Sequence, residues 1–227
     1  MNEPEYGRPK SIADIDPERA RLAHATRALI DAMMTTPNAS PEMLATAAAA
    51  VEHITQVFVS ERDHTSQNGI AVSSHGDYLP RSPALGTASP IAPGTIVWHV
   101  EADPERSGMT RFVGHGPIGA AYEGPPGYVH GGVIALVFDE VLGVINIANG
   151  CPGMTGTLEI RYRRPTPLFT PLRWVAWVER VSGRRVLAKA QVWNDTTLCA
   201  EAEGIFIQPN PDRQREYFGV REPTPDQ

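Results

Sequence analysis

Asp139 is the residue whose placement most needs a chemical explanation. It interrupts residues 131–149, Gly-Gly-Val-Ile-Ala-Leu-Val-Phe-Asp-Glu-Val-Leu-Gly-Val-Ile-Asn-Ile-Ala-Asn, a run apolar nearly all round and therefore a buried helix. Burial disfavours a charged carboxylate. Such a group is either satisfied by hydrogen bonds as a structural acid or tuned as a general base or nucleophile. The helix pattern alone leaves both roles open. Upstream the chain reads Pro125-Pro126-Gly127-Tyr128-Val129-His130-Gly131-Gly132, a stiff turn leading into a helix whose first residues lack bulk. The first N–H groups of a helix have no partner within it, and the dipole there favours negative charge. Glycine at 131 and 132 leaves those groups open to a ligand. That suits the oxyanion formed when a carbonyl is attacked, and it would equally suit a phosphate. His130 either fixes this corner by hydrogen bonding, the commoner role for a lone histidine, or joins the chemistry.

Positioning these groups falls to the elements around them. Gly132, Ala135, Asp139, Gly143 and Asn146 recur at spacings of three and four, so they form one small or polar stripe on the helix. A stripe without bulk admits a close neighbour: a ligand, a strand or a second copy of the helix. Before the helix, 95–102 and 111–122 contain short β-prone runs. After it come strand candidates at 155–164, 172–181, 184–193 and 197–207, with Ser182-Gly183 and Asn194-Asp195 as hairpin punctuation. In 155–163, Leu158, Ile160 and Tyr162 alternate with Thr157, Glu159, Arg161 and Arg163, so one face meets a core and the other a polar medium. Trp174, Trp177 and Trp193 read as sheet packing rather than as a pocket lining. Strands, one long apolar helix and an antiparallel meander make an α+β fold, the sheet wrapped around the helix. The first third differs. A helix is expected over 16–35, opened by Asp16-Pro17-Glu18, and a second from Ser40-Pro41-Glu42 to about residue 60. The chain thus divides into a helical extension with an irregular connection (1–93, structureless from 64), a main domain (94–208) and a loose tail (209–227).

Composition narrows the classes of function. The formal net charge of −6 argues against general nucleic-acid binding, which needs a basic surface. Cys151 and Cys199 are too few for a disulfide scaffold and read as partly buried thiols in a reducing compartment. The polar, proline-punctuated start carries no basic-then-apolar signal region. Uninterrupted apolar runs stay well short of the ~20 residues that span a bilayer, so a soluble cytoplasmic protein is expected. The seven histidines are scattered without metal-site spacing, so no metal is expected. No G-x-S-x-G elbow is present, which disfavours a Ser-His-Asp hydrolase.

Taken together, Gly124-Pro-Pro-Gly-Tyr-Val-His-Gly-Gly, six further residues, then Asp139-Glu140 resembles the His-Gly-Gly-x6-Asp signature of hotdog-fold acyl-CoA thioesterases, especially the subgroup with the animal mitochondrial long-chain enzymes. The likeness continues through Thr155-Gly-Thr-Leu-Glu-Ile-Arg-Tyr-Arg-Arg-Pro and covers about residues 94–208. It implies a hotdog fold, acyl-CoA as substrate and no cofactor. It also implies Asp139 as base or nucleophile, the Gly131 amide as the donor that polarises the carbonyl, and Thr155 (Thr157 less so) as the hydroxyl assisting water or carboxylate. Some relatives carry asparagine or glutamine six residues before the histidine; here that position is Gly124, a departure that touches the positioning of water.

These roles have a geometric consequence. Gly131 and Asp139, eight residues apart on one helix, stand about 12 Å apart along its axis. Both must lie about 3 Å from one reacting carbonyl, which a straight helix forbids within a single chain. Two antiparallel copies would place Gly131 of one beside Asp139 of the other, so a homodimer, or a dimer of dimers, is expected. Arg161, Arg163 and Arg164 read either as a clamp for coenzyme A phosphates, the guanidinium matching phosphate bidentately, or as a solvated strand face paired with Glu159. Two rivals to hydrolysis remain. A hotdog hydratase or dehydratase would usually carry a histidine five residues after the aspartate, where this chain has Val144. A non-catalytic acyl-CoA sensor would keep the pocket and use the N-terminal helices as its interaction element.

Overall fold

The computed structural model describes residues 17–60, 81–94 and 96–210. The first 16 residues, the part of the expected irregular connection before 81 and the tail after 210 lie outside the described residues. Six antiparallel strands form one sheet: β1 (Val97–Ala102), β2 (Thr110–Gly116), β3 (Met154–Tyr162), β4 (Leu172–Ser182), β5 (Arg185–Asn194) and β6 (Thr197–Ile207), in the spatial order β1-β2-β4-β5-β6-β3. Tight turns close the meander. Gly183, at φ 57°, follows β4, and Asp195, at φ 51°, follows β5; both lie in the left-handed region that a two-residue hairpin requires. The long helix expected over 131–149 is present at Gly131–Ala148 and packs across one face of the sheet. It is the third helix described, α3, after α1 (Pro17–Thr35) and α2 (Pro41–Ser60).

Seven apolar side chains of α3 are buried, among them Val137, Phe138, Val141, Leu142 and Ile145, each contributing about 1.5–3 kcal/mol. Trp174 of β4 is fully buried and meets Phe138 edge-on, ring centroids 5.4 Å apart. Trp177 and Trp193 lie on the opposite face, where each ring carries an arginine, Arg106 and Arg173 respectively. The tryptophans are therefore sheet packing, as their strand positions suggest. Ala84 and Leu85 belong to the same core. From residue 81 on, the segment expected to be irregular is thus fastened to the domain even though it forms turns.

The two expected N-terminal helices are both present, and they behave differently. α1 seats Ala23 against the domain, and Arg27 donates to the carbonyl of Ser89 at 2.5 Å. Every residue of α2 is exposed. By length and average hydropathy α2 and α3 could each cross a bilayer, contrary to the expectation drawn from uninterrupted runs. α3 instead serves as the core, and α2 carries Glu52 near its middle, a costly group in hydrocarbon.

Candidate active site

Asp139 faces away from the packed side of α3 and is half-buried. The Thr155 hydroxyl, on β3, donates to its Oδ1 at 2.8 Å. A β-bulge makes this contact possible. Thr155 is opposite Phe206 and Thr157 is opposite Ile205, so Gly156 is an extra residue in the strand. Strict alternation would put Thr155 and Thr157 on the same face. With the bulge, Thr155 joins Leu158, Ile160 and Tyr162 on the helix side, and Thr157 falls on the other. Thr157 is accordingly not brought to Asp139, so of the two threonines it is Thr155 that meets the carboxylate and not Thr157, the weaker choice for the assisting, substrate-side hydroxyl.

The far end of β3 reaches the start of the helix. The Tyr162 hydroxyl donates to the carbonyl of Gly131 at 2.8 Å, and burial pushes its pKa up, so it remains a donor. β3 therefore holds α3 at two points, the carboxylate and the first turn. The backbone turn before the helix is closed by His130 N–H donating to the Tyr122 carbonyl at 2.9 Å and by Gly124 N–H donating to Tyr128 at 2.9 Å. Here the expected design is refined. The Gly132 N–H donates to Nδ1 of His130 at 3.0 Å, so His130 is the N-cap of α3 and Gly132 is not an open donor. Gly132 lacks a side chain because the imidazole lies over it: an added Cβ would come within 3.2 Å of Cε1 and Nδ1. The Gly131 N–H meets no acceptor among the described residues. The first turn thus presents one free amide beside a capped one. His130 Nδ1 is committed to the turn, which leaves only Nε2 to meet a ligand.

The small stripe divides in two. Gly132, Ala135, Asp139 and Gly143 are at least partly exposed, and a Cβ at Gly143 would meet nothing within 4 Å. Asn146 is instead fully buried, so it belongs to the core and not to the open face. Around the open stretch, Leu136 and Ile147 on α3 and Met154 and Tyr162 on β3 are exposed apolar side chains, and β3 is an edge strand. Of the two readings of the arginines, the geometry of Arg161 and Arg163 follows the ion-paired strand face. Arg161 donates to Glu159 at 3.1 Å, and Arg163 is paired with Glu201. Both carboxylates are on the face away from α3. Arg164 donates to the carbonyl of Arg163 and meets no carboxylate among the described residues. Cys151 is buried and its pKa is pushed up to about 11; Cys199 is raised in the same way, so neither is a nucleophile at neutral pH.

Comparison with known proteins places this geometry. The thioesterase superfamily model matches residues 126–200, which include the His130-Gly131-Gly132 turn, Asp139 and Thr155. Acyl-coenzyme A thioesterase THEM4 of Mus musculus is 32% identical over 97 residues, 42% of each chain. The protein of the same name from Xenopus laevis is 35% identical over 94 residues, 40% of this chain and 41% of that one. The matched region spans about two fifths of those relatives' length. Among solved structures, that of RHA08564, a thioesterase superfamily protein, superposes with a TM-score of 0.72 at 30% identity, covering 83% of this chain and 90% of that one. That likeness extends well beyond the residues the family model matches.

Proposed function

Since the chain belongs to the thioesterase superfamily, we propose that it hydrolyses acyl-CoA thioesters to a free acid and coenzyme A at a site shared between two copies. The observation that carries the reading is the pairing of a hydroxyl-anchored carboxylate with one uncapped helix amide: Thr155 on Asp139, and Gly131 N–H left open beside the capped Gly132. Because Thr155 engages Oδ1, Oδ2 is the oxygen free to act. As base, it takes a proton from water while the water oxygen bonds to the thioester carbon. The carbonyl oxygen becomes an oxyanion held by Gly131 N–H. Collapse breaks the C–S bond and expels the coenzyme A thiolate, which picks up the proton. In the nucleophilic variant Oδ2 attacks first and water opens the resulting anhydride.

The axial separation of about 12 Å between Gly131 and Asp139 on one helix supports a second copy as the source of the amide. The unpaired edge of β3 and the exposed Leu136, Ile147 and Met154 around the site support that reading, because a partner would cover them. Homology to curated acyl-coenzyme A thioesterases supports the substrate class. Among the three arginines, Arg164 is the cation left for the coenzyme A phosphates, Arg161 and Arg163 being neutralised by carboxylates. Thiol release from a panel of acyl-CoA thioesters tests the proposal. Turnover by the native chain and its loss in Asp139→Asn are expected. Equal release by both proteins would remove Asp139 from the mechanism, and tight binding without release across the panel would make the chain a sensor.

A further inference from the structure

A short relay of hydrogen bonds joins α1 to the turn that opens α3, and Tyr122 stands at its centre. Arg27 of α1 donates to the carbonyls of Thr87 and Ser89, at 3.5 and 2.5 Å, so its guanidinium grips main chain at two points. The gripped segment continues through Pro90 and Pro93, whose rings fix the backbone, and Ala92 between them is buried. Two carbonyls of this segment hold the wall beneath α1. Ile91 accepts from the Tyr122 hydroxyl at 2.7 Å, and Pro93 accepts from Gly119 N–H at 3.3 Å. Asp31 presses on the same wall, its carboxylate so near Gly119 that a Cβ there would overlap it. Burial, with the Asp31 carboxylate, pushes the Tyr122 pKa up against the pull of Arg27, so the hydroxyl stays a donor.

From this wall the relay passes into the site. Tyr122 closes the 3-10 turn Ala120–Tyr122, and its carbonyl accepts His130 N–H at 2.9 Å. The peptide bond after His130 carries the Gly131 N–H. On the other side of that glycine, the Tyr162 hydroxyl holds the Gly131 carbonyl. Tyr122 and Tyr162 thus bracket the one uncapped amide, the first from the N-terminal side and the second from β3. Between α1 and the wall lies a cavity of about 270 Å³, lined by Arg27, Asp31, Tyr122 and Phe169 among others. Side-chain packing is interrupted there, which leaves more of the coupling to the hydrogen bonds. We propose that Tyr122 is a positioning residue for the Gly131 amide, and that α1, by gripping residues 87 and 89, helps to set that amide's direction. Its catalytic meaning rests on the hydrolytic reading, in which this amide holds the oxyanion; the positioning itself does not.

Two variants of the full chain test the relay. Tyr122→Phe keeps the ring and removes its hook on Ile91, and Arg27→Met keeps an aliphatic stem and releases Thr87 and Ser89. Each should lower kcat about three- to tenfold with KM unchanged, short of the ~100-fold or more that outright loss of an oxyanion donor costs. Combined, they should cost little more than the larger single loss, because both cut one chain of contacts. Glycine-selective nitrogen-15 labelling supplies a readout that needs no turnover. The amide signals of Gly131 and Gly132 should move in both variants. That of Gly183 should stay, since it follows the end of β4 remote from Gly116 and the wall. Unmoved Gly131 and Gly132 signals would overturn the proposal whatever the chain hydrolyses, as would losses that multiply in the double variant or a deficit lying in KM. A native chain that releases no thiol, with the two signals moving as expected, defeats the hydrolytic reading and leaves the positioning intact.

Discussion

Replacing Thr155 by valine keeps the shape of the side chain and removes one donor from the Asp139 carboxylate. A hydrogen bond to a charged group contributes about 1.5–3 kcal/mol. Asp139 is half-buried and retains some solvent, which places the effect at the lower end of that range. At about 1.4 kcal/mol per decade, the turnover number should fall roughly 10- to 30-fold. The loss belongs in kcat and not in KM, because the hydroxyl is engaged with the reacting carboxylate. Steady-state thiol release from one acyl-CoA substrate, with the folded fraction checked by thermal melting, measures it. Thr155→Ser should recover most of the rate. A Thr155→Val protein with native kcat, or one whose deficit lies wholly in KM, would refute the assignment of this hydroxyl as the group that orients Asp139.

Other consequences follow from the same contacts. Gly132→Ala puts a methyl group 3.2 Å from the His130 ring, so the cap must shift; kcat should fall several-fold with little change in melting temperature, and unchanged kinetics would show that the cap does not govern the Gly131 amide. Burial keeps the thiols of Cys151 and Cys199 protonated at pH 8, so the folded protein should give no colour with a thiol reagent until it is denatured; prompt labelling would contradict their burial. The Glu179 carboxyl is held below its usual range by the Trp177 indole N–H, with Arg106 and Lys189 beside it. Its stabilising contribution is complete above the ordinary glutamate value of about 4.3 and fades as pH falls through the lower folded value. Glu179→Gln should therefore lower the melting temperature at neutral pH and flatten its acid-side decline, and parallel melting curves would exclude this role.

The fold was legible wherever periodicity reports burial. The all-round apolar run at 131–148 became the core helix, and the regularly spaced β-prone runs became the meander. Asp139 and the helix start stood out because a carboxylate in such a run, and paired glycines at its beginning, are exceptions to that pattern. What stayed hidden depends on contacts between elements. Gly156 is an ordinary strand residue in sequence, yet the bulge there decides that Thr155 and not Thr157 faces the helix. The capping of Gly132 by His130 could be weighed as a commoner role, but only the ring's position shows which glycine keeps its amide free. For Arg161 and Arg163 the sequence leaves open both a phosphate clamp and an ion-paired strand face; Glu159 is visible as a partner along the strand, whereas Glu201 comes from the neighbouring strand. Exposure of α2 was invisible for a related reason: an apolar helix reads alike whether its own chain covers it or not.

The shared site is tested most directly by complementation between two inactive parents. Asp139→Asn removes the base. Gly131→Pro removes the oxyanion donor at the first helical position, which accepts proline, and His130 already has the extended backbone (φ −60°, ψ 133°) that precedes one. If each site takes Asp139 from one subunit and Gly131 from the other, every mixed dimer contains one intact site. Subunit exchange at equal concentrations should then restore about a quarter of native activity, since half of the dimers are mixed and each has one working site of two. Activity that stays at the level of the parents, with mixed dimers verified by mass, would show that the carboxylate and the amide do not meet across the interface.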